Sequence, residues 1–271
     1  MARSTSSHGR AAVRPAPTLL GASLLVALAG CAGSGAAEAP GSAEPDAITG
    51  TVTVFAAASL TGTFDSLATE FESEHPGVRV VLDYGGSSGL AAQLVEGAPA
   101  DVFASANEAT MTTVVDAGVV ADPQPFATNV LQLVVPAGNP AGVTGLADLA
   151  RPELVVALCD PAVPCGAAAS SLLELAGVVA VPDTLEQDVK AVVTKVALGE
   201  VDAALVYTTD TIAAGDAVEA IPVPEADAVV NRYLIARLVD SANAPAADAW
   251  VAWVTGTHGR DALRRAGFGA P

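Results

Sequence analysis

The residues of this chain best placed for chemistry are small hydroxyls and bare backbone where strands give way to helices. Ser59 follows an apolar run and opens an amphipathic one, the position of a helix cap with a free hydroxyl. Ser87 and Ser88 stand in the turn Gly85-Gly86-Ser87-Ser88-Gly89, after a second apolar run. Two more turns, Pro164-Cys165-Gly166 and Asp188-Val189, open further helical stretches, and Tyr207 ends a strand. The first N–H groups of a helix lack partners within it, and its dipole favours negative charge there. Several such junctions facing one cleft would hold an oxyanion through N–H and O–H donors, with no competing acceptors. The Tyr207 phenol would add one more donor. Taken singly, each feature is a plain cap, a loop or a packed ring; their convergence would make the site.

The same stretch admits an enzyme reading. Gly85-Gly86-Ser87-Ser88-Gly89 fits G-x-S-x-G between a strand and a helix, and His258 comes later, with many Asp between. Against a serine hydrolase using Ser87, no HGGG-type oxyanion motif is present. Beyond the N-terminal leader only His75 and His258 remain, and His258 reads as part of a solvated turn. No His, Cys and carboxylate cluster has metal-site spacing, so neither a metal ion nor a cofactor is expected.

The elements that must position these residues alternate between strand and helix. Leu60, Phe64, Leu67 and Phe71, spaced four, three and four apart, predict a helix beginning at Ser59. Strands are predicted over 52–57, 78–84, 100–104, 131–135, 154–158, 203–207 and 233–238. Helices are predicted after Gly89 and over 167–176, 184–198 and 246–254, and Ser105 with Glu108 reads as a capping box. This order argues for an α/β fold with largely parallel sheets. Breakers such as Pro136-Ala137-Gly138-Asn139-Pro140 favour two lobes. The expected division is 50–128 plus 229–271 for one lobe and 129–228 for the other. Trp250 and Trp253 read as helix packing, and Tyr84 as a residue beside Ser87 in the cleft.

The N-terminus belongs to targeting. Arg3, Arg10 and Arg14 precede a short apolar run over 19–29, as in a secretion signal spanning 1–30. That run is too short to anchor the chain across a bilayer. Leu28-Ala29-Gly30-Cys31 resembles the lipobox of bacterial lipoproteins, which implies lipidation of Cys31 and an extracytoplasmic, membrane-anchored protein. Residues 31–49, rich in Ala, Gly, Ser, Pro and Glu, read as a flexible tether. Removing 1–30 takes away three of the twelve basic residues and none of the thirty acidic ones, which moves the net charge from −18 to −21. Such acidity argues against nucleic acid as a partner. It also means that any bound anion is held by local dipoles against the global field. Cys159 and Cys165 remain as an even pair in an oxidising compartment, and a bridge between them would contribute roughly 2 kcal/mol.

Several segments together carry a family resemblance. Val54-Phe55-Ala56-Ala57-Ala58-Ser59-Leu60-Thr61 and Gly97-Ala98-Pro99-Ala100-Asp101-Val102-Phe103-Ala104-Ser105-Ala106 closely resemble molybdate-binding proteins of bacterial ABC importers. Asp160-Pro161-Ala162-Val163-Pro164-Cys165-Gly166, Gln187-Asp188-Val189 and Leu205-Val206-Tyr207-Thr208-Thr209-Asp210 match as well. The likeness covers residues 50–270 in order. It implies a two-lobed fold of the type II periplasmic-binding-protein kind, a monomer that catalyses nothing and binds molybdate or tungstate between its lobes. It further implies delivery to a membrane permease of an ABC importer. By position, Ser59 and Ser87 would donate from hydroxyl and backbone, Cys165 and Val189 from backbone N–H, and Tyr207 from its hydroxyl. Cys165 stands where relatives often carry Ala, and Ser88 competes with Ser87 for the second contact. Sulfate or phosphate as the ligand would fit the same fold.

Overall fold

A computed structural model describes residues 48–271. The expected signal peptide, Cys31 and the tether lie outside the described residues, apart from positions 48 and 49.

The chain first lays down β1 (Gly50–Ala57), α1 (Thr63–Glu74), β2 (Val78–Gly85), α2 (Ser87–Val95), β3 (Val102–Ser105), α3 (Glu108–Asp116) and β4 (Gln124–Asn129). It then crosses through Val130 into a second sheet. This is built from β5 (Leu131–Pro136), β6 (Val156–Cys159), α4 (Pro164–Leu175), β7 (Thr184–Glu186), α5 (Val189–Ala197), β8 (Ala203–Tyr207), α6 (Thr208–Ala214) and β9 (Val218–Ile221). The return crossing leads into β10 (Asn231–Arg237), followed by α7 (Ala244–Thr255) and α8 (Thr257–Arg265).

The two sheets share one plan. The first runs β2-β1-β3-β10-β4 and the second β7-β6-β8-β5-β9. In each, three strands are parallel and the fourth in spatial order runs antiparallel to both neighbours. That fourth strand is in both cases the one that has just crossed from the other lobe. Both sheets therefore aim the carboxyl ends of their parallel strands at the crossing region, where open α/β sheets bind ligands.

Each lobe has its own core. In the first, Leu60, Phe64, Leu67 and Phe71 are all buried, and the Trp250 ring meets Phe64 and Phe71 edge-on at 5.8 and 5.4 Å. Such T-shaped pairs add about 0.5–1.5 kcal/mol beyond the area they bury. The second core is aliphatic, with Val192, Val193 and Val196 of α5 packed over Leu133, Leu158 and Leu205.

Several boundaries differ from the sequence expectation. The helix expected from Ser59 begins at Thr63, because Gly62 takes a left-handed φ of +70° and separates it from a 3-10 turn at Ala58–Leu60. The helix expected over 184–198 is split: Thr184–Glu186 pairs with β6 as an edge strand, and α5 starts at Val189 behind the Asp188 cap. Branched and apolar residues continue across that break, so periodicity alone does not mark it. The cap of α3 is Asn107, whose Oδ1 accepts from Thr110 N–H at 2.9 Å, and not Ser105. His258 lies within α8, stacked on Trp253 at 4.0 Å, where a solvated turn was expected. Tyr84 turns away from the cleft and donates to Asp65 Oδ1 at 2.9 Å. β4 and β9 had no sequence forecast.

Cys159 and Cys165 are joined, with Cα atoms 5.7 Å apart, tying the end of β6 to the first turn of α4. Gly166 follows directly, and a Cβ there would overlap the Asp160 carbonyl oxygen. Replacing both cysteines with Ser is expected to lower the unfolding free energy by about 2 kcal/mol. Urea titration checks this: the midpoint falls if the account holds, and an unchanged midpoint contradicts it.

Candidate anion site between the lobes

A cavity of about 20 Å³ lies where the two sheets point at each other. Its walls include Ser59 and Ser87 from the first lobe and Cys165, Val189 and Tyr207 from the second. Sites for organic ligands run to about 300–1,000 Å³, so this one suits a compact ion. No lysine, arginine or histidine is among its lining residues. His258 borders a different cavity, with Glu70, Glu74 and Trp253, so the Ser87–His258 pair that hydrolysis would need is not assembled.

Local sequence explains each wall. Ser87 is the first residue of α2, Pro164 and Cys165 open α4, and Val189 opens α5. Proline at the first position forgoes only an N–H that has no helical partner anyway. At α5 the Asp188 carboxylate turns back to accept from Ala191 N–H at 2.9 Å, which leaves the Val189 N–H without a partner inside the helix. Three N-termini thus bring positive dipole ends to one small space.

The hydroxyls are less free than the sequence implied. Ser59 sits inside the 3-10 turn and shares a 2.8 Å hydrogen bond with Tyr233 Oη. Ser87 Oγ accepts from Ala106 N–H at 3.1 Å. Ser88 instead spans the lobes, its Oγ donating to Ala162 O at 2.7 Å, and it is absent from the cavity wall. Tyr207 Oη accepts from Asn231 Nδ2 at 2.9 Å. Burial, with Tyr233 and Asp210 nearby, pushes the Tyr207 phenol well above its ordinary pKa, so it remains a protonated donor.

Sequence reasoning missed the residues behind this wall. Asn129 and Asn231 face each other across the β4–β10 pair, at the two crossings. Each reaches into the second lobe, Asn129 Nδ2 to Thr209 Oγ1 at 2.8 Å and Asn231 Nδ2 to Tyr207 Oη. Asparagine beside a strand reads as a turn, so only a forecast of the β4–β10 pairing would have exposed them. Gly86 was noted only as part of a serine motif. Here it lets the lobes meet, because a Cβ would overlap the Gln187 carbonyl oxygen of the other lobe.

A wider groove of about 330 Å³ shares Ser59 with the cavity and is lined also by Thr61, Ser66, Lys190, Thr209 and Arg265. Lys190 Nζ lies 2.9 Å from Asp210 Oδ1. Burial raises the Asp210 pKa, with the Lys190 ammonium pulling the other way. A carboxyl raised on folding stabilises fully below its unfolded pKa and loses that contribution as pH climbs through its folded pKa. Asp210→Asn is therefore expected to gain stability relative to the wild type as pH rises through the carboxyl range, since Lys190, one-third exposed, keeps its solvation. Urea midpoints from pH 3.5 to 7 check this, and a difference that stays flat or shrinks as pH rises contradicts it.

The sequence pattern of a family described as bacterial extracellular solute-binding protein matches residues 52–269. The molybdate-binding protein ModA of Mycobacterium tuberculosis is 41% identical over 254 residues, covering 93% of this chain and 97% of that relative. ModA of Escherichia coli is 31% identical over 237 residues, covering 81% and 89%. Among solved structures, the periplasmic molybdate-binding protein of Azotobacter vinelandii superposes with a TM-score of 0.68 at 23% identity. That match covers 81% of this chain and 99% of its own, and at such identity it speaks for the fold alone. Two lobes, a cavity between their strand ends and this sequence match lead to one statement: the chain belongs to the family of bacterial extracellular solute-binding proteins.

Proposed function

We propose that this protein captures molybdate outside the cytoplasmic membrane and hands it to the permease of an ABC importer. The observation that carries this reading is the cavity of about 20 Å³ whose wall combines three helix N-termini with the Ser59, Ser87 and Tyr207 hydroxyls and holds no cationic side chain. Once the lobes close over the ligand, each fixed dipole would act through a lower effective dielectric than in water. The ligand's charge is met by N–H and O–H donors, the one carboxylate on the wall, Asp188, being engaged by the Ala191 N–H, and ligand size is set by the spacing of rigid elements. Relatives named as molybdate-binding proteins, matching along nearly their whole length, favour molybdate over sulfate or phosphate. Tungstate, of the same shape and charge, is expected to bind as well.

The site residues in this reading are Ser59, Ser87 and Tyr207 through hydroxyls, with Cys165 and Val189 through backbone N–H. The protein acts as a monomeric carrier rather than an enzyme, tethered through a lipid on Cys31. Among the described residues no helix is long and apolar enough to cross a membrane. Lobe closure about the β4–β5 and β9–β10 crossings would bury the anion, and the closed form would be what the permease reads.

Calorimetric titration of the full chain with molybdate, tungstate, sulfate and phosphate tests the assignment. Tight binding of the first two with weak binding of the others is expected. Tightest binding of sulfate or phosphate would overturn the ligand assignment while leaving the fold untouched.

A further inference from the structure

A small anion must cross an unfavourable field to reach the cavity. The chain carries thirty acidic residues against twelve basic ones, a formal net charge of −18, and a surface of that sign slows the approach of a dianion. The groove of about 330 Å³ beside the cavity is an exception to it. Lys190 and Arg265 are among its lining residues, and no carboxylate is. The acids close to it in sequence are engaged: Asp65 accepts from the Gly62 N–H at 3.2 Å and from the Tyr84 hydroxyl at 2.9 Å, and Asp261 pairs with Arg264 at 2.7 Å. The two cations differ. Lys190 Nζ lies 2.9 Å from Asp210 Oδ1, whose side chain is fully buried, so part of its charge is offset within the pair. Arg265 ends α8, is exposed, and has no ion-pair partner among the described residues.

The groove adjoins the cavity along the chain as well as in space. Ser59 lines both, Lys190 follows Val189, and Thr209 lies two residues beyond Tyr207. The groove also spans the lobes, with Thr61, Ser66 and Arg265 on the first and Lys190 and Thr209 on the second, so it widens when they part. Elsewhere on the cavity rim the lobes meet directly. A Cβ on Gly86 would overlap the Gln187 carbonyl oxygen, and Ser88 Oγ donates to Ala162 O at 2.7 Å.

We propose that this groove is the entrance to the site, an encounter surface for small dianions at which Arg265, with Lys190, draws the ligand through the acidic surface and passes it to the cavity. The proposal rests on the oxyanion reading above and concerns the rate of capture. The neutral donors of the cavity hold the anion once it has arrived. A charge on the rim acts on the association rate and its salt dependence, and little on dissociation.

The test is stopped-flow mixing of the full chain with molybdate, with dissociation read after dilution. Arg265→Gln is expected to slow association about threefold at an ionic strength of about 10 mM, where the Debye length is about 30 Å. Arg265→Glu, which reverses the charge, should slow it about tenfold. Both differences should vanish near 1 M salt, where the Debye length is about 3 Å, and dissociation should stay within about twofold of wild type. Arg79→Gln makes the same change in net charge at the start of β2, the end of the sheet away from the cavity, and should leave association near the wild-type rate. Lys190 stays in place in these variants, because its removal would strand the buried Asp210 carboxylate. Equal slowing by Arg265→Gln and Arg79→Gln would assign the effect to net charge alone. An unchanged rate in Arg265→Glu would take the groove off the path, and a loss carried by faster dissociation would make Arg265 a holder of the bound anion. Each of these overturns the proposal, whereas failure of the wild type to bind molybdate would instead sink the oxyanion reading itself.

Discussion

Gly86→Ala is expected to weaken molybdate binding without unfolding the protein. Gly86 caps α2 on the first lobe, with φ −62° and ψ 125°, angles that any residue adopts. Alanine there meets no backbone penalty. Its methyl group, however, would overlap the Gln187 carbonyl oxygen on the second lobe. Gln187 directly precedes the Asp188 cap and the Val189 N–H, so relief by moving it would displace one of the donors proposed for the anion. The alternative relief is to part the lobes. A forced overlap of this kind costs about 1–3 kcal/mol, which is about fivefold to 150-fold in Kd. The clash exists only with the lobes apposed, so the urea midpoint of the unliganded protein should hardly move. Calorimetry paired with urea unfolding separates the two effects, and wild-type affinity in the folded variant would contradict this account of closure.

Tyr207→Phe should have an effect of similar size by a different route. The ring is buried and packs edge-on to Tyr233 at 6.1 Å, contacts that phenylalanine keeps. What is lost is one hydroxyl donor to a doubly charged ligand, worth about 1.5–3 kcal/mol, or about tenfold to 150-fold in Kd. Asn231 retains Ala106 O as an acceptor, so the loss of stability should stay near 1 kcal/mol, the size of an ordinary neutral hydrogen bond. Ser59→Ala removes a comparable donor and leaves Tyr233 Oη without its 2.8 Å partner. Unchanged molybdate affinity in both variants would remove these side chains from the site.

Much of the site could be read from the chain because its parts are local. Cys165 and Val189 lie where helices begin, and proline at 164 and aspartate at 188 announce those starts within one or two residues. Tyr207 ends the apolar run Ala203–Tyr207, forecast as a strand, and the structure forms that strand with all five residues buried. What sequence missed depends on pairing. Asn129 and Asn231 are neighbours only because β4 and β10 run antiparallel, a hundred residues apart in the chain, and neither strand's partner can be deduced from alternation of side chains. Ser59 shows the same limit on a smaller scale. The four-three-four spacing identified the buried face of α1 correctly, yet the left-handed Gly62 moves the start of α1 beyond Ser59. The serine hydroxyl therefore points to Tyr233 rather than to its own helix. The shared strand order of the two lobes, with no evident sequence repeat, has the same origin: topology is set by which buried edges meet, and many sequences satisfy one order.

The small cavity, and not the larger cationic groove beside it, is expected to hold the anion by neutral donors. A crystal structure of the full chain grown with molybdate tests this most directly, because molybdenum scatters strongly enough to be placed without ambiguity. The predicted result is a single molybdate with its oxygens within hydrogen-bonding distance of Ser59 Oγ, Ser87 Oγ, Tyr207 Oη and the N–H groups of Cys165 and Val189. Molybdate seated instead in the groove against Lys190 and Arg265 would contradict the account, since binding would then rest on side-chain charge.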